Sequence, residues 1–262
     1  MRLHILSDLH LEVRSLPAAD HPDTVDAEVT ILAGDIGMAL SGIEWALTIN
    51  RPVLYVFGNH EGWDSRSAWE RRPLTELLAA ARARTAGTQV HVLENDALDL
   101  MGVRFLGCTL WTDFAVFPER EPADLMARLA EDMSDYRKIV VRDGPERTRP
   151  LRPADTLTWH EDSRDFLAGH LYTPTAGKTV VVTHHAPSAR SLLYGEAMVN
   201  IDAAYASHVD DLVARADLWV QGHTHVPADY AVGPWGRVVS NPRGYVGMGE
   251  VVDFDPRWVV EV

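Results

Sequence analysis

The chain has 262 residues, 46% hydrophobic and 24% charged, which is ordinary for a globular protein and ample for a buried core. A formal net charge of −14 gives no basic footprint for a nucleic-acid backbone, so nucleic acid is not expected as a partner. A small anionic substrate stays open, because bound cations reverse a local field. The single cysteine, Cys108, excludes an internal disulfide framework and fits a reducing compartment.

Met1-Arg2-Leu3-His4-Ile5-Leu6-Ser7-Asp8 has too little apolar length for a secretory signal, and no later stretch reaches the length of a membrane span. A cytoplasmic protein without membrane attachment is expected. Residues 3–7, 29–33 and 53–57 are short, largely β-branched apolar runs that read as strands buried on both faces. Helical spacing falls between them, at 42–50 (Ile43, Trp45, Leu47, Ile49) and at 74–84 behind Pro73. That alternation predicts an α/β fold. Residues 90–93, 97–100 and 103–109 read as a meander with turns at Asn95-Asp96 and Met101-Gly102.

Residues 112–152 are charged and broken by prolines, with a helix expected at 122–133; such an insertion is either a lid or binding loop or a solvated excursion. Helices follow at 155–171 and 203–214, and strands at 179–183 and 218–221. Residues 237–240, 249–254 and 258–262 read as a closing antiparallel set. With no repeat or linker, one domain over 1–262 with two sheets, and a lid or insertion around 112–152, is the expected organisation.

Five segments carry the chemistry: Asp8-Leu9-His10, Gly34-Asp35, Gly58-Asn59-His60-Glu61, His184-His185 and Gly222-His223-Thr224-His225. Each follows an apolar run, so each is expected in the loop at a strand end. In extended backbone, side chains two apart point to one side, which pairs Asp8 with His10 and His223 with His225. Asp35 offers a carboxylate able to bridge two cations, and Asn59 a neutral amide oxygen. His184 and His185 point to opposite faces of a strand, so one of them can face a metal. Any single one of these histidines is ordinarily a hydrogen-bonded imidazole; the ordered set is what points to a metal-dependent hydrolase.

This set, from residue 8 to residue 225, resembles the calcineurin-like metallophosphoesterases, and among them the small bacterial phosphodiesterase-like branch with Gly-His-Thr-His. The resemblance implies a two-sheet β sandwich flanked by helices. It implies two divalent or mixed-valence transition ions, with Mn, Fe, Zn, Ni and Co all compatible. Asp8, His10 and His225 would hold the first and Asn59, His184 and His223 the second, with Asp35 bridging. In that family the histidine directly after the strand is the ligand, which favours His184 over His185. His60 would be the catalytic histidine, and Glu61 either orients its loop or is a solvated acid. The Asp-Arg-Gly of the serine/threonine protein phosphatases is absent, because Asp35 is followed by Ile36-Gly37, so protein phosphatase activity is not expected.

The implied activity is phosphodiester hydrolysis of a small molecule by a metal-bridging hydroxide, with His60 assisting the leaving group; phosphomonoester hydrolysis is the alternative. A non-catalytic binding protein on this scaffold predicts damaged ligand positions, and none is damaged. A nuclease needs a basic groove that the net charge does not suggest. Candidate substrate contacts are Tyr136, Arg137 and His185, followed by Trp111, Asp113, Asn241 and Arg243; an arginine grips phosphate bidentately and an aromatic stacks on a base or aryl group. Oligomeric state is not legible.

Overall fold

The computed structural model describes residues 1–67, 70–173, 176–192, 199–248 and 253–262. Two sheets carry the fold. The first has the strand order Val259–Glu261, Arg2–Leu6, Val29–Ala33, Val53–Val56, Val90–Leu93; all pairs are parallel except that Val259–Glu261 runs antiparallel to Arg2–Leu6. The second has the order Ala228–Val232, Gly236–Ser240, Leu218–Val220, Lys178–Thr183, Val103–Cys108, Asp96–Leu100. Its four inner strands are parallel and both edge strands antiparallel.

The apolar runs explain the layering. Leu3, Ile5, Ile31 and Leu54 from the first sheet share one core with Phe105, Val180, Val220 and Val239 from the second. The opposite faces are covered by helices. Leu6, Leu32 and Tyr55 pack with Ile43 of helix Ser41–Ala46 and with Leu77 and Ala81 of helix Leu74–Thr85. Leu106, Val181 and Trp219 pack with Leu167 of helix Pro153–Leu171. Strands covered on both sides need no polar face, which is why they read as continuous hydrophobic runs. Each fully buried Leu or Ile contributes about 1.5–3 kcal/mol. The result is the expected two-sheet α/β sandwich flanked by helices.

Within residues 112–152, helix Pro122–Asp132 puts Leu125 and Leu129 on one face, followed by the short helix Asp135–Lys138 and the hairpin Val140–Arg142 with Thr148–Pro150. These pack on a separate apolar cluster with Phe114, Ile139, Ala203 and Ala204. Among the described residues, no helix is long and apolar enough to cross a membrane.

Three local expectations are corrected, and one strand was missed. Val90–Leu93 is not in a meander; it closes the first sheet beside Val53–Val56, and the chain crosses to the second sheet at Asn95, whose φ is 53°. The helix expected over 203–214 is a 3-10 turn at Asn200–Ala204 and a short helix at Asp210–Val213. Ala206 is instead drawn into a parallel bridge with Ala186, so tertiary pairing overrides local helix propensity. The closing set is divided: Gly236–Ser240 belongs to the second sheet and Val259–Glu261 to the first, while residues 249–252 of the strand expected at 249–254 lie outside the described residues. The strand Ala228–Val232, antiparallel to Gly236–Ser240 and alternately half-buried and exposed over its first four residues, was not anticipated.

Candidate metal centre and cleft

Because the carrying strands run parallel, their C-terminal ends meet at one edge of the sandwich. Asp8 and His10 follow Arg2–Leu6, Asp35 follows Val29–Ala33, and Asn59 and His60 follow Val53–Val56. From the other sheet, His184 and His185 follow Lys178–Thr183, and His223 and His225 follow Leu218–Val220. The backbone there is not extended, contrary to the expectation for the two x-spaced pairs. Asp8, His10, Asp35, His223 and His225 all have left-handed φ, between 44° and 67°. Such residues cost about 1–3 kcal/mol each and persist where the surroundings over-determine them. Here Asp8 N donates to Gly34 O and His10 N to Asp35 O, both at 3.0 Å. Glycine is required at two of the turns. A Cβ on Gly34 would lie 2.3 Å from His184 Nδ1, and one on Gly58 would lie 2.1 Å from Asp35 Oδ1.

Three groupings of potential ligands result among the described residues; His10 with Glu12 and His60 is one, and the other two lie on either side of Asp35. In the first of these two, His10 Nε2 is 3.1 Å from His225 Nε2, and His225 Nε2 is 3.5 Å from Asp8 Oδ1. In the second, His184 Nε2 is 3.1 Å from both Asn59 Oδ1 and His223 Nδ1. Asp35 lies between them: Oδ1 is 3.5 Å from His184 Nε2, and Oδ2 is 3.9 Å from His10 Nε2.

The donor chemistry fits cations. His184 Nδ1 sits 3.0 Å from Ala33 O, which accepts only, so the ring proton is on Nδ1 and Nε2 presents a lone pair to Asn59 Oδ1. His10 Nδ1 sits 3.0 Å from Glu12 Oε1, which fixes the same tautomer and turns its Nε2 lone pair toward His225 and Asp35. The lone pair of His184 Nε2 thus faces the oxygens of Asn59 and Asp35, and that of His10 Nε2 faces Asp35, arrangements that a cation satisfies. The electrostatics agree. Burial, then the charges of Glu61 and Asp8, push the Asp35 carboxyl well above its usual range. Burial holds the His184 ring down at about 4, and lowers His185 and His223 strongly as well, which keeps the imidazoles neutral.

His60 stands beside the clusters, with Nε2 4.0 Å from Asp35 Oδ2. Its Nδ1 is 3.0 Å from Glu12 Oε1, its Nε2 is 3.0 Å from Tyr245 Oη, and its ring stacks on Trp63 at 3.6 Å. Burial, which outweighs the bond to Glu12, lowers the ring to about 4. For Glu12, burial raises the carboxyl, but the bonds from His10 and His60 prevail and hold it at about 2.

Of the two readings of Glu61, the orienting one matches its surroundings. It is buried, with Oε2 accepting from Asp35 N at 3.0 Å and Gly58 N at 2.7 Å, and Oε1 accepting from Ile36 N at 2.9 Å and Tyr55 Oη at 2.6 Å. One carboxylate therefore ties the Asp35 loop to the Asn59–His60 loop.

A cleft of about 290 Å³ opens onto the clusters, walled by Trp63, Asp132, Met133, Ile201, Tyr205 and Tyr245 besides Asn59, His60, His223 and His225. Several expected contacts do not reach it. Tyr136 is buried with its hydroxyl 3.3 Å from Thr156 Oγ1, and Arg137 is exposed and donates to Glu131 O. Their neighbour Asp135 lines the cleft instead, accepting from Asn59 Nδ2 and Trp63 Nε1. His185 lies behind the second cluster, 3.2 Å from Thr109 O, with its ring 4.1 Å from that of His223. The Arg243 guanidinium is spent on the backbone carbonyls of Leu9, Arg14 and Ser15, and Asn241 on those of Ile5 and Asp255. Trp111 is in the core, and Asp113 accepts from the Ala115 and His208 amides. Glu12, Trp63, Asp135 and Tyr245 were missed as site residues; the spacing Asp8-x-His10-x-Glu12 was the available signal for one of them.

No family model and no curated protein matches the sequence. Solved structures do. The chain superposes on a phosphopantetheinyl hydrolase from Mycobacterium tuberculosis with a TM-score of 0.69 and 19% identity, over 93% of this chain and 89% of that one. A dimetal phosphatase from Danio rerio aligns with a TM-score of 0.48 and 11% identity, over 94% and 88% of the two chains. The chain has the calcineurin-like metallophosphoesterase fold.

Proposed function

We propose that the chain is a dinuclear metal-dependent phosphoester hydrolase, with phosphodiesters of small molecules as its substrates. The observation that carries this reading is the pair of histidine and carboxylate clusters on either side of Asp35. Asp8, His10 and His225 would hold one cation and Asn59, His184 and His223 the other, with the Asp35 carboxylate placed toward both. Two divalent ions, of Mn, Fe, Zn, Ni or Co, supply an activated water and neutralise charge on phosphoryl oxygens. The chain's own residues do the rest. His60, oriented by Glu12 and Tyr245, is placed to assist the departing alcohol, to which its imidazolium form would donate a proton or hydrogen bond. Glu61 keeps the two loops in register. Residues 132–135 bring the 112–152 segment to the cleft as one of its walls, so the whole of 1–262 acts as one metallophosphoesterase domain.

The diester preference rests on charge. No lysine or arginine lines the cleft among the described residues, while Asp132 and Asp135 do. A diester monoanion meets less repulsion there than a monoester dianion. Chelator-stripped protein reconstituted with Mn²⁺ is expected to hydrolyse bis-p-nitrophenyl phosphate faster than p-nitrophenyl phosphate, and to lose both activities in EDTA. Monoester preference would reassign the protein as a phosphatase, and inactivity on both with metal bound would count against catalysis. Diesters of cyclic nucleotides, lipid headgroups and phosphopantetheine form the next screen. The protein is expected to work in the cytoplasm, without nucleic acid or membrane as a partner.

A further inference from the structure

Asp135 belongs to the 112–152 segment, outside both sheets, yet its buried carboxylate reaches a metal-site residue. Its Oδ1 accepts from Asn59 Nδ2 at 2.9 Å and from Trp63 Nε1 at 2.7 Å. The two ends of an asparagine amide are nearly equal in size, so packing alone does not decide which end faces which way. A carboxylate accepts and does not donate, so Asp135 admits only the orientation with Nδ2 toward it. The Asn59 oxygen is then left 3.1 Å from His184 Nε2, on the side of Asp35 and His223.

We propose that Asp135 is a positioning residue that locks the Asn59 amide with its oxygen toward the second metal cluster. The 112–152 segment thereby completes the metal centre from outside the sandwich. The inference rests on the reading of Asn59 as a ligand. The same carboxylate also fixes Trp63, whose ring stacks on His60 and carries Lys138 Nζ 3.5 Å over its ring centroid. One turn of chain, Asp135–Lys138, thus holds both a ligand amide and the ring against which His60 rests.

The test is Mn²⁺ binding to the chelator-stripped full-length chain by calorimetry, for wild type, Asp135→Asn, Trp63→Phe and the double variant Asp135→Asn/Trp63→Phe. The Trp63 indole N–H only donates, so in Asp135→Asn it keeps the amide oxygen in the place of Oδ1, where that oxygen still accepts from Asn59. Trp63→Phe leaves the carboxylate in place. Each single variant should therefore keep both affinities within about threefold of wild type. In the double variant nothing orients the amide at 135, which pairs with either end of Asn59, and one of the two sites should weaken by about 10–100-fold, the usual cost of losing a partner that orients a ligand. Equal affinities in wild type and the folded double variant overturn the proposal while the metal centre stands. Equal weakening of both sites in the double variant overturns it too, as general damage. A wild type that binds no Mn²⁺ sinks this inference together with the functional reading, so the two failures are distinct.

Discussion

Glu94 offers a test of the electrostatics that is independent of catalysis. It follows the last strand of the first sheet and clips the second sheet, its Oε2 accepting from Thr109 N at 3.1 Å and Thr109 Oγ1 at 2.6 Å. Burial, against those two bonds, pushes its carboxyl from 4.5 to about 7. An acid held higher in the folded state contributes stability that is fully present below 4.5 and is lost as pH rises through about 7. At ~1.4 kcal/mol per tenfold change, the whole effect approaches about 3 kcal/mol. Glutamine at 94, with its oxygen in the Oε2 position, keeps both Thr109 donors and never ionises. The stability of Glu94→Gln relative to wild type should therefore rise by about 2–3 kcal/mol between pH 5 and pH 8.5. For a chain of this size that is roughly 4–10 °C in Tm. Thermal melts of metal-stripped protein at both pH values read it directly. A Tm difference between variant and wild type that is the same at both pH values would refute the reasoning.

Three further outcomes follow from the site. Glu61→Gln turns an NH₂ toward donors the carboxylate now accepts and leaves at least one buried backbone N–H without a partner, so urea unfolding should show about 2–4 kcal/mol less stability; an unchanged midpoint would deny Glu61 its loop-tying role. His60→Ala should retain both metals and lose about 10²–10⁴ in kcat on alkyl diesters, with a smaller loss on p-nitrophenyl esters, whose alcohol leaves without help. Retained alkyl-diester turnover would remove His60 from the reaction. Because His10 Nδ1 and His60 Nδ1 both meet the same oxygen of Glu12, Glu12→Ala should weaken metal binding at the His10 cluster by about 10–100-fold. Glu12→Gln, which can keep an oxygen at that point, should lose less, and equal losses would contradict a purely orienting role.

The residues brought together at the strand ends were legible because each follows an apolar run and each carries a recognisable donor. A parallel strand places its C-terminal loop at a common edge, so order along the chain translated into proximity. The left-handed backbone at Asp8, His10, Asp35, His223 and His225 was not legible, because no glycine marks it; packing and loop-to-loop hydrogen bonds impose it. The crossing between sheets at Asn95 looked like a hairpin turn, since a turn and a crossover use the same residue types. Ala203–Ala204 and Ala206 read as helix formers, and only the bridge to Ala186 shows why the helix stops. The partners of the site were hidden by distance along the chain. Asn59 meets Asp135 across 76 residues, and His60 meets Glu12 across 48 and Tyr245 across 185. Periodicity has no access to contacts at such separations. Tyr136 and Arg137 were expected at the cleft from their chemistry, but the helix Asp135–Lys138 turns Asp135 inward and leaves Arg137 exposed.

The paired metal centre is tested most directly by titrating chelator-stripped protein with Mn²⁺ while following bis-p-nitrophenyl phosphate hydrolysis. The account predicts activity that climbs to a plateau at two equivalents per chain. A plateau at one equivalent, or none with two equivalents bound, would contradict it.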